Sequence, residues 1–409
     1  MSKNIHVIGG GTIFHIRPHL MIGAKAKGTA AKKIAQMCRS KWPWPEYAVH
    51  EHLTEMADHN STLETNEDIA NLVDQLVEDE STKIIFMSAA LTDWSASVWR
   101  GWASEGPSGK DQPRLRTDDG HVFLKLTPAE KIINRIRKQR KDIFLVAFKT
   151  TAGAGEDEMF DAGLKLLKQN SCNLVLVNDV HTRLNMIVVP ELSRYCVTTD
   201  RELALTELAD MTRMRAGLSF TPTRVEPGEL VAWTGLRVPE VLRVVVDHCV
   251  AMGAYLPFND VTVGHFGYRL SGDRFLSSRR KRNFNMVEDR DLVETAIQNG
   301  EVVAFGAKPS AGARSQYMVL MAYPEYDCII HFHCPAKPGA QISVRNQKPY
   351  ECGSHECGQN TVNGMKKFGD LAAVMLDQHG PNIVFSSKCD PKTVIEFIDA
   401  NFDLTKTTR

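Results

Sequence analysis

Three histidines carry the clearest chemical signal in this chain. His331-Phe332-His333 follows the short apolar run Asp327–Ile330. Residues i and i+2 of a strand share a face, so the two imidazoles converge while Phe332 points into the opposite layer. His379 stands in Leu376-Asp377-Gln378-His379-Gly380, ahead of another apolar run. Three neutral imidazoles with an open fourth position make a catalytic-type site for zinc or another divalent metal. A His-x-His pair used only structurally is the competing reading. Cys352, Cys357 and His355 are too unevenly spaced to read as a second zinc cluster, and packed thiols explain the cysteines.

The elements around these histidines read as alternating short strands and helices. A helix is expected over Pro239–Met252, strands near Val261–Leu270, Val302–Phe305 and Asp327–Phe332, and a helix near Arg314–Tyr323. A helix over Asn360–Leu376, a strand at Ile383–Ser386 and a helix over Pro391–Phe402 close the chain. This mixture predicts an α/β/α layered domain with a largely antiparallel sheet. Arg279-Arg280-Lys281-Arg282 is the most basic run; it reads as a receiver of phosphate or as solvated loop charge.

The first half has a different grammar. Asn4–Gly9, Lys83–Ser88, Asp142–Phe148 and Asn173–Asn178 are nearly all apolar, with helical patterns at Gly23–Met37, Asn66–Glu78, Pro128–Arg140 and Glu156–Lys168 between them. Such runs predict a parallel sheet covered on both faces, with ligands at the carboxyl ends of the strands. Gly9-Gly10-Gly11-Thr12 lets backbone amides approach an anion, or is a plain tight turn. Trp42–Pro45 and the group Trp94, Trp99 and Trp102 offer stacking surfaces for a base, although packing is the commoner use of tryptophan. We expect domains at 1–216 and 239–409, joined by a proline- and glycine-bearing linker at 217–238.

The 409 residues carry 49 basic and 49 acidic side chains. With no net field, nucleic acid and anionic membrane are not expected as partners. No apolar run approaches the roughly 20 residues of a membrane span, the start has no signal-peptide pattern, and nine scattered cysteines read as reduced thiols. A cytoplasmic protein is the expectation.

In their order, Gly9–Thr12, Ile22–Ala35, Ser88–Trp94, Leu124–Ile132, Val146–Phe148 and Leu176–Val180 resemble the phosphopantothenoylcysteine synthetase family. That resemblance implies a Rossmann-like, CTP-binding domain over about residues 4–215, with Gly10, Gly11, Thr12, Ala89, Ala90, Asp93, Lys125 and Asn178 lining the nucleotide site. The chain departs from the family at Ala24, where an asparagine is usual, and at Phe148-Lys149-Thr150-Thr151, which lacks the family's glutamate.

The second half, over about residues 239–403, resembles the class II aldolase/adducin family. The likeness rests on Gly264–Arg269, Pro309–Gly312, Asp327–Pro335, Tyr350–Glu356 and Leu376–Phe385. It implies His331, His333 and His379 as metal ligands, with the metal polarising a carbonyl or enediolate. It also implies Gly264, His265, Ser277, Ser278, Arg279 and Ser310 around a substrate phosphate. The family's Pro-Ser-Ser-Glu is Pro309-Ser310-Ala311-Gly312 here, so the usual acid/base carboxylate is missing. Tyr350, Glu351, His355 and Glu356 are the candidates to replace it, or a neighbouring subunit supplies the group.

The resulting expectation is a homo-oligomeric, two-domain α/β protein. It would be a metal-dependent carbon–carbon lyase, or a related isomerase, fused to a nucleotide-binding domain and acting on a phosphorylated or nucleotide-linked small molecule. A CTP-dependent acid–amine ligase in the first half and a noncatalytic adducin-like assembly module are the alternatives.

Overall fold

The protein, as a computed structural model, describes residues 3–40, 46–100 and 104–408. The chain divides into two units, one of residues 1–190 and 194–216, the other of residues 191–193 and 217–409.

The first unit is built on a seven-stranded sheet in the order Ser193–Thr198, Asn185–Val189, Leu174–Asp179, Phe144–Thr151, Thr82–Met87, Lys3–Gly9, Tyr47–Leu53. The five strands from Leu174–Asp179 to Tyr47–Leu53 run parallel, and Asn185–Val189 joins antiparallel. Alternate residues face opposite sides. Ile5, Val7, Ile84, Phe86, Val146, Leu174 and Leu176 pack with Ile34 and Ala35 of helix Thr29–Ser40 and with Leu205 and Leu208 of helix Arg201–Arg215. On the other face a side chain at Gly163 of helix Glu156–Asn170 would strike Val177 and Val188, so this helix lies close against the sheet. The near-continuous apolar strands follow from this double coverage.

Two sequence expectations shift here. Helix 23–37 begins only at Thr29, because Leu20–Gly23 pairs with Ile13–Arg17 as a small hairpin. Helix 128–140 shortens to Ile133–Gln139, because Phe123–Pro128 is a strand of a three-stranded ribbon with Trp94–Arg100 and Ser104–Gly106.

The second unit holds a ten-stranded sheet, antiparallel except at its ends. Its central order is Arg274–Ser278, His265–Ser271, Cys328–His331, Gly380–Phe385, Leu371–Leu376. Helices Glu240–Ala251 and Pro391–Asn401 cover one face, where Leu242, Val245, Val246, Val394 and Ile398 meet Phe266, Ile330, Phe332, Ile383 and Phe385. Ile329, Ala372 and Val384 form the opposite face with Val319 and Leu320 of helix Ala313–Ala322.

The expected helix over 360–376 is a helix only as far as Gly364; Lys366–Phe368 and Leu371–Leu376 form a hairpin. Every residue of Leu371–Leu376 is buried between neighbouring strands, and this tertiary pairing overrides the helix preference of Leu, Ala and Met. The stretch 217–238, expected as a linker, supplies strand Thr223–Glu226 to the second sheet and buries Val231 and Trp233 in its core.

In the first unit His6, at 4% exposure, shares a 3.0 Å Nδ1···Nε2 contact with His52 and stacks on His50. Burial and the neighbouring imidazoles lower both His6 and His52 to about 4. The unfolded chain takes up protons on these rings below about pH 6.5 while the folded chain does not. We therefore expect the thermal midpoint of this unit to fall as pH drops from about 6.5 to about 4, and His52→Gln to flatten that slope; an unchanged slope would contradict the assignment.

Candidate metal centre

Sheet geometry brings the three histidines together. His331 ends strand Cys328–His331, and His333 follows two residues later, while Phe332 packs into the opposite core. His379 sits in the turn joining Leu371–Leu376 to Gly380–Phe385. Gly380 makes the approach possible: a Cβ there would stand 2.0 Å from the Phe332 carbonyl oxygen, and its φ of +143° disfavours a side chain as well. The three rings have centroids 4.7–4.9 Å apart. They are 2%, 7% and 2% exposed, and one nitrogen from each lies within 4.8 Å of the others.

The electrostatics favour a neutral His331. Burial, reinforced by His379, lowers His331 to about 3, against a partial opposing pull from the Pro381 carbonyl. That carbonyl lies 2.7 Å from His331 Nδ1 and can only accept, so Nδ1 carries the proton and Nε2 presents its lone pair. His331 Nε2 stands 3.2 Å from His379 Nε2. Two nitrogens bound about 2.1 Å from a tetrahedral zinc would be about 3.4 Å apart, so the His331–His379 pair matches that spacing, with the full set held within 4.8 Å. The backbone carbonyl on Nδ1 is the orienting partner that metal-bound histidines ordinarily have.

The resemblance-derived phosphate residues collect beside this centre. Gly264 and His265 lead into the strand paired with Cys328–His331, and Ser310 N donates to the Ser278 carbonyl at 2.7 Å. Ser277 and Ser278 are buried on the next strand. Arg279 does not fit the expectation: its guanidinium donates to the carbonyls of Glu288 and Asp291 and pairs with Asp289, so it braces its own loop.

The replacement acid/base candidates separate into two groups. Tyr350 and Glu351 belong to a segment that crosses the Pro309–Gly312 turn, where a side chain at Gly353 would meet the Ala311 carbonyl at 2.6 Å. His355 is exposed at the start of helix His355–Gly364, its amide donating to the Ser219 carbonyl. Glu356 accepts from the Ser219 amide through both oxygens, which withdraws it from the acid/base role. Gln316 was not singled out in the sequence, yet its wholly buried carboxamide has no hydrogen-bond partner among the described residues. No sequence pattern marks it, because its position depends on the helix packing.

In the first unit the glycine turn pairs with the segment after strand Thr82–Met87: Ala90 N donates to Gly10 O and Thr12 N to Ala90 O. Gly10, Gly11, Thr12, Ala89 and Ala90 thus gather at the carboxyl edge. The Thr12 hydroxyl, however, is buried and donates to Asn66 Oδ1 at 2.6 Å while accepting from Thr92 N, so it braces the turn instead of facing a ligand. Asn178 is the next-to-last residue of the strand three places away along the same edge, roughly 14 Å at the usual strand spacing. Asp93 is exposed and paired with Lys131, and Lys125 lies over Trp99 on the separate ribbon. Trp42–Pro45 and Trp102 lie outside the described residues. Asp179, which no sequence motif marks, is a buried carboxylate held well below its usual range by amides of Thr182, Ala154 and His181 and by the Thr151 hydroxyl. No described helix is long and apolar enough to cross a membrane.

We expect one divalent ion per chain by elemental analysis after dialysis against zinc. His331→Ala should weaken binding by more than about 100-fold in a chelator competition, since loss of an orienting partner alone costs 10- to 100-fold. Full loading of that variant would exclude the site.

Residues 244–387 match the family described as Class II Aldolase and Adducin N-terminal domain. A curated relative, the Coenzyme A biosynthesis bifunctional protein CoaBC of Thermococcus kodakarensis, is 22% identical over 188 residues, 43% of this chain and 41% of the relative. The chain therefore matches less than half the length of that relative. Among solved structures, the DNA/pantothenate metabolism flavoprotein of Streptococcus pneumoniae is 20% identical at a TM-score of 0.41, over 52% of this chain and 96% of its own. The l-fuculose-1-phosphate aldolase of Thermus thermophilus is 15% identical at a TM-score of 0.29, over 40% of this chain and 87% of its own. The chain thus joins an N-terminal half similar to CoaBC and phosphopantothenoylcysteine synthetase to a segment that matches the class II aldolase and adducin family model.

Proposed function

We propose that the second unit is a metal-dependent carbon–carbon lyase, or a related isomerase, of class II aldolase type, acting on a phosphorylated or nucleotide-linked small molecule. The observation that carries this reading is the buried triad His331, His333 and His379, with the His331 tautomer fixed by Pro381. When bound there, zinc or a similar ion would supply Lewis acidity toward a carbonyl oxygen and the enediolate derived from it. The three imidazoles would hold the ion through ring nitrogens, and their burial excludes bulk water. The backbone around Gly264, Ser278 and Ser310 offers the phosphate end of a substrate a place beside the histidines. Tyr350, Glu351 and His355 are the remaining cis candidates for moving the proton.

Exchange of the proton next to the carbonyl follows wherever the enediolate is protonated in the pocket, so it tests the lyase and any isomerase that protonates that intermediate. We expect the zinc-loaded chain to exchange that proton in D2O, followed by NMR, for some member of a panel of phosphorylated hydroxyketones, and chelation or His333→Ala to abolish exchange. A fully loaded chain inert toward the whole panel would favour the noncatalytic assembly reading.

For the first unit we propose nucleotide binding, CTP being the ligand that the resemblance suggests, at the carboxyl edge between the Gly10–Thr12 turn and Asn178. The support is that glycine turn, Ala90 and Asn178 share one edge of a parallel sheet. Calorimetry should register CTP or another nucleotide, with Asn178→Ala weakening it several-fold; no heat at millimolar ligand would leave this edge a scaffold.

A further inference from the structure

We infer that His265 is a positioning residue of the metal pocket, its Nε2 bonding an oxygen of the ligand in the open fourth position, and that Gly312 is the residue that makes room for it. This inference rests on the metal reading proposed above and assigns His265 a partner other than a substrate phosphate. His265 lies directly opposite His331 in the antiparallel pair, so both rings project from one face of the sheet. Their centroids are 4.8 Å apart with planes at 37°. His265 is 4% exposed, and its Nε2 has no hydrogen-bond partner among the described residues. Protein interiors seldom leave such an atom unbonded without an occupant to meet it.

Gly312 explains why the ring fits. A Cβ at that position would stand 3.0 Å from both Cε1 and Nδ1 of His265, so the imidazole occupies the space that a side chain at the start of helix Ala313–Ala322 would need. The φ of Gly312 is −78°, an ordinary value, so what keeps the residue small is the ring beside it. One turn further along the helix, the buried Gln316 carboxamide leaves Oε1 and Nε2 unbonded. A Cβ on Gly267 would meet that Oε1 at 2.8 Å, and Gly267 is two residues beyond His265 on the same strand face. Two independent side chains therefore present unbonded polar atoms under the same helix start, and one of them, His265, lies against the His331 ring. A ligand rich in oxygen, such as a hydroxyketone or its enediolate, matches that lining.

The test uses the full chain loaded with cobalt(II), whose visible absorption reports changes at the metal, and acetohydroxamate as a two-oxygen probe. His265→Phe keeps a ring against Gly312 but removes the nitrogens. We expect it to take up cobalt with wild-type stoichiometry and to bind acetohydroxamate about 10- to 100-fold more weakly, the loss of one hydrogen bond to a charged partner. His265→Gln, whose amide nitrogen reaches the Nε2 position, should recover most of that affinity, which a purely structural role would not produce. Unchanged probe affinity in His265→Phe overturns this inference alone. Loss of cobalt as complete as in His331→Ala overturns it too, by making His265 a ligand. A wild-type chain that takes up no cobalt overturns the metal reading and this inference together.

Discussion

The hydrogen bond from His331 Nδ1 to the Pro381 carbonyl ties the chemistry of this protein to its sheet. Pro381 belongs to the strand that pairs with Cys328–His331, so the ladder that holds the two strands together also sets the ring's angle and its tautomer. The same strand begins at Gly380, whose bare Cα lets the preceding turn press onto Phe332 and bring His379 to the centre. A misregister of one residue would send Phe332 to the site and both histidines to the core. The apolar packing of Phe332 against Tyr255 and Phe402 opposes that slip. Burial of one such aromatic is worth roughly 1.5–3 kcal/mol, comparable to the net worth of the hydrogen bonds around it.

The triad was legible in the sequence because its two cues are local. His-x-His needs only the period of a strand, and His-Gly needs only a turn glycine that permits close approach. The alternation of strands and helices in the first half was legible for the same reason. What escaped notice depends on tertiary pairing. Leu371–Leu376 has a helix-favouring composition and becomes a strand because neighbours on both sides complete its hydrogen bonds. Glu356 looked available as a proton carrier, and Arg279 as an anion receptor, because a sequence does not reveal which backbone groups a side chain already serves.

The relation between His265 and Gly312 is a further case of information carried jointly. Each residue alone reads differently: Gly312 as an absent carboxylate, and His265 as part of a phosphate site. Placed together they are complementary in volume, since the ring fills what the missing side chain vacates. The glycine turn of the first unit teaches the converse. Its residues do gather at the carboxyl edge, but the Thr12 hydroxyl is committed to Asn66 and Thr92, so a motif brought into place is not thereby free to bind.

X-ray absorption at the zinc edge of the zinc-loaded chain tests the central claim most directly, because it reads the atoms around the ion. Three imidazole nitrogens at about 2.0–2.1 Å with one further light oxygen or nitrogen donor are expected, with loss of imidazole scattering in His379→Ala. A sulfur shell at about 2.3 Å, or a spectrum in which no imidazole scattering is present, would contradict it.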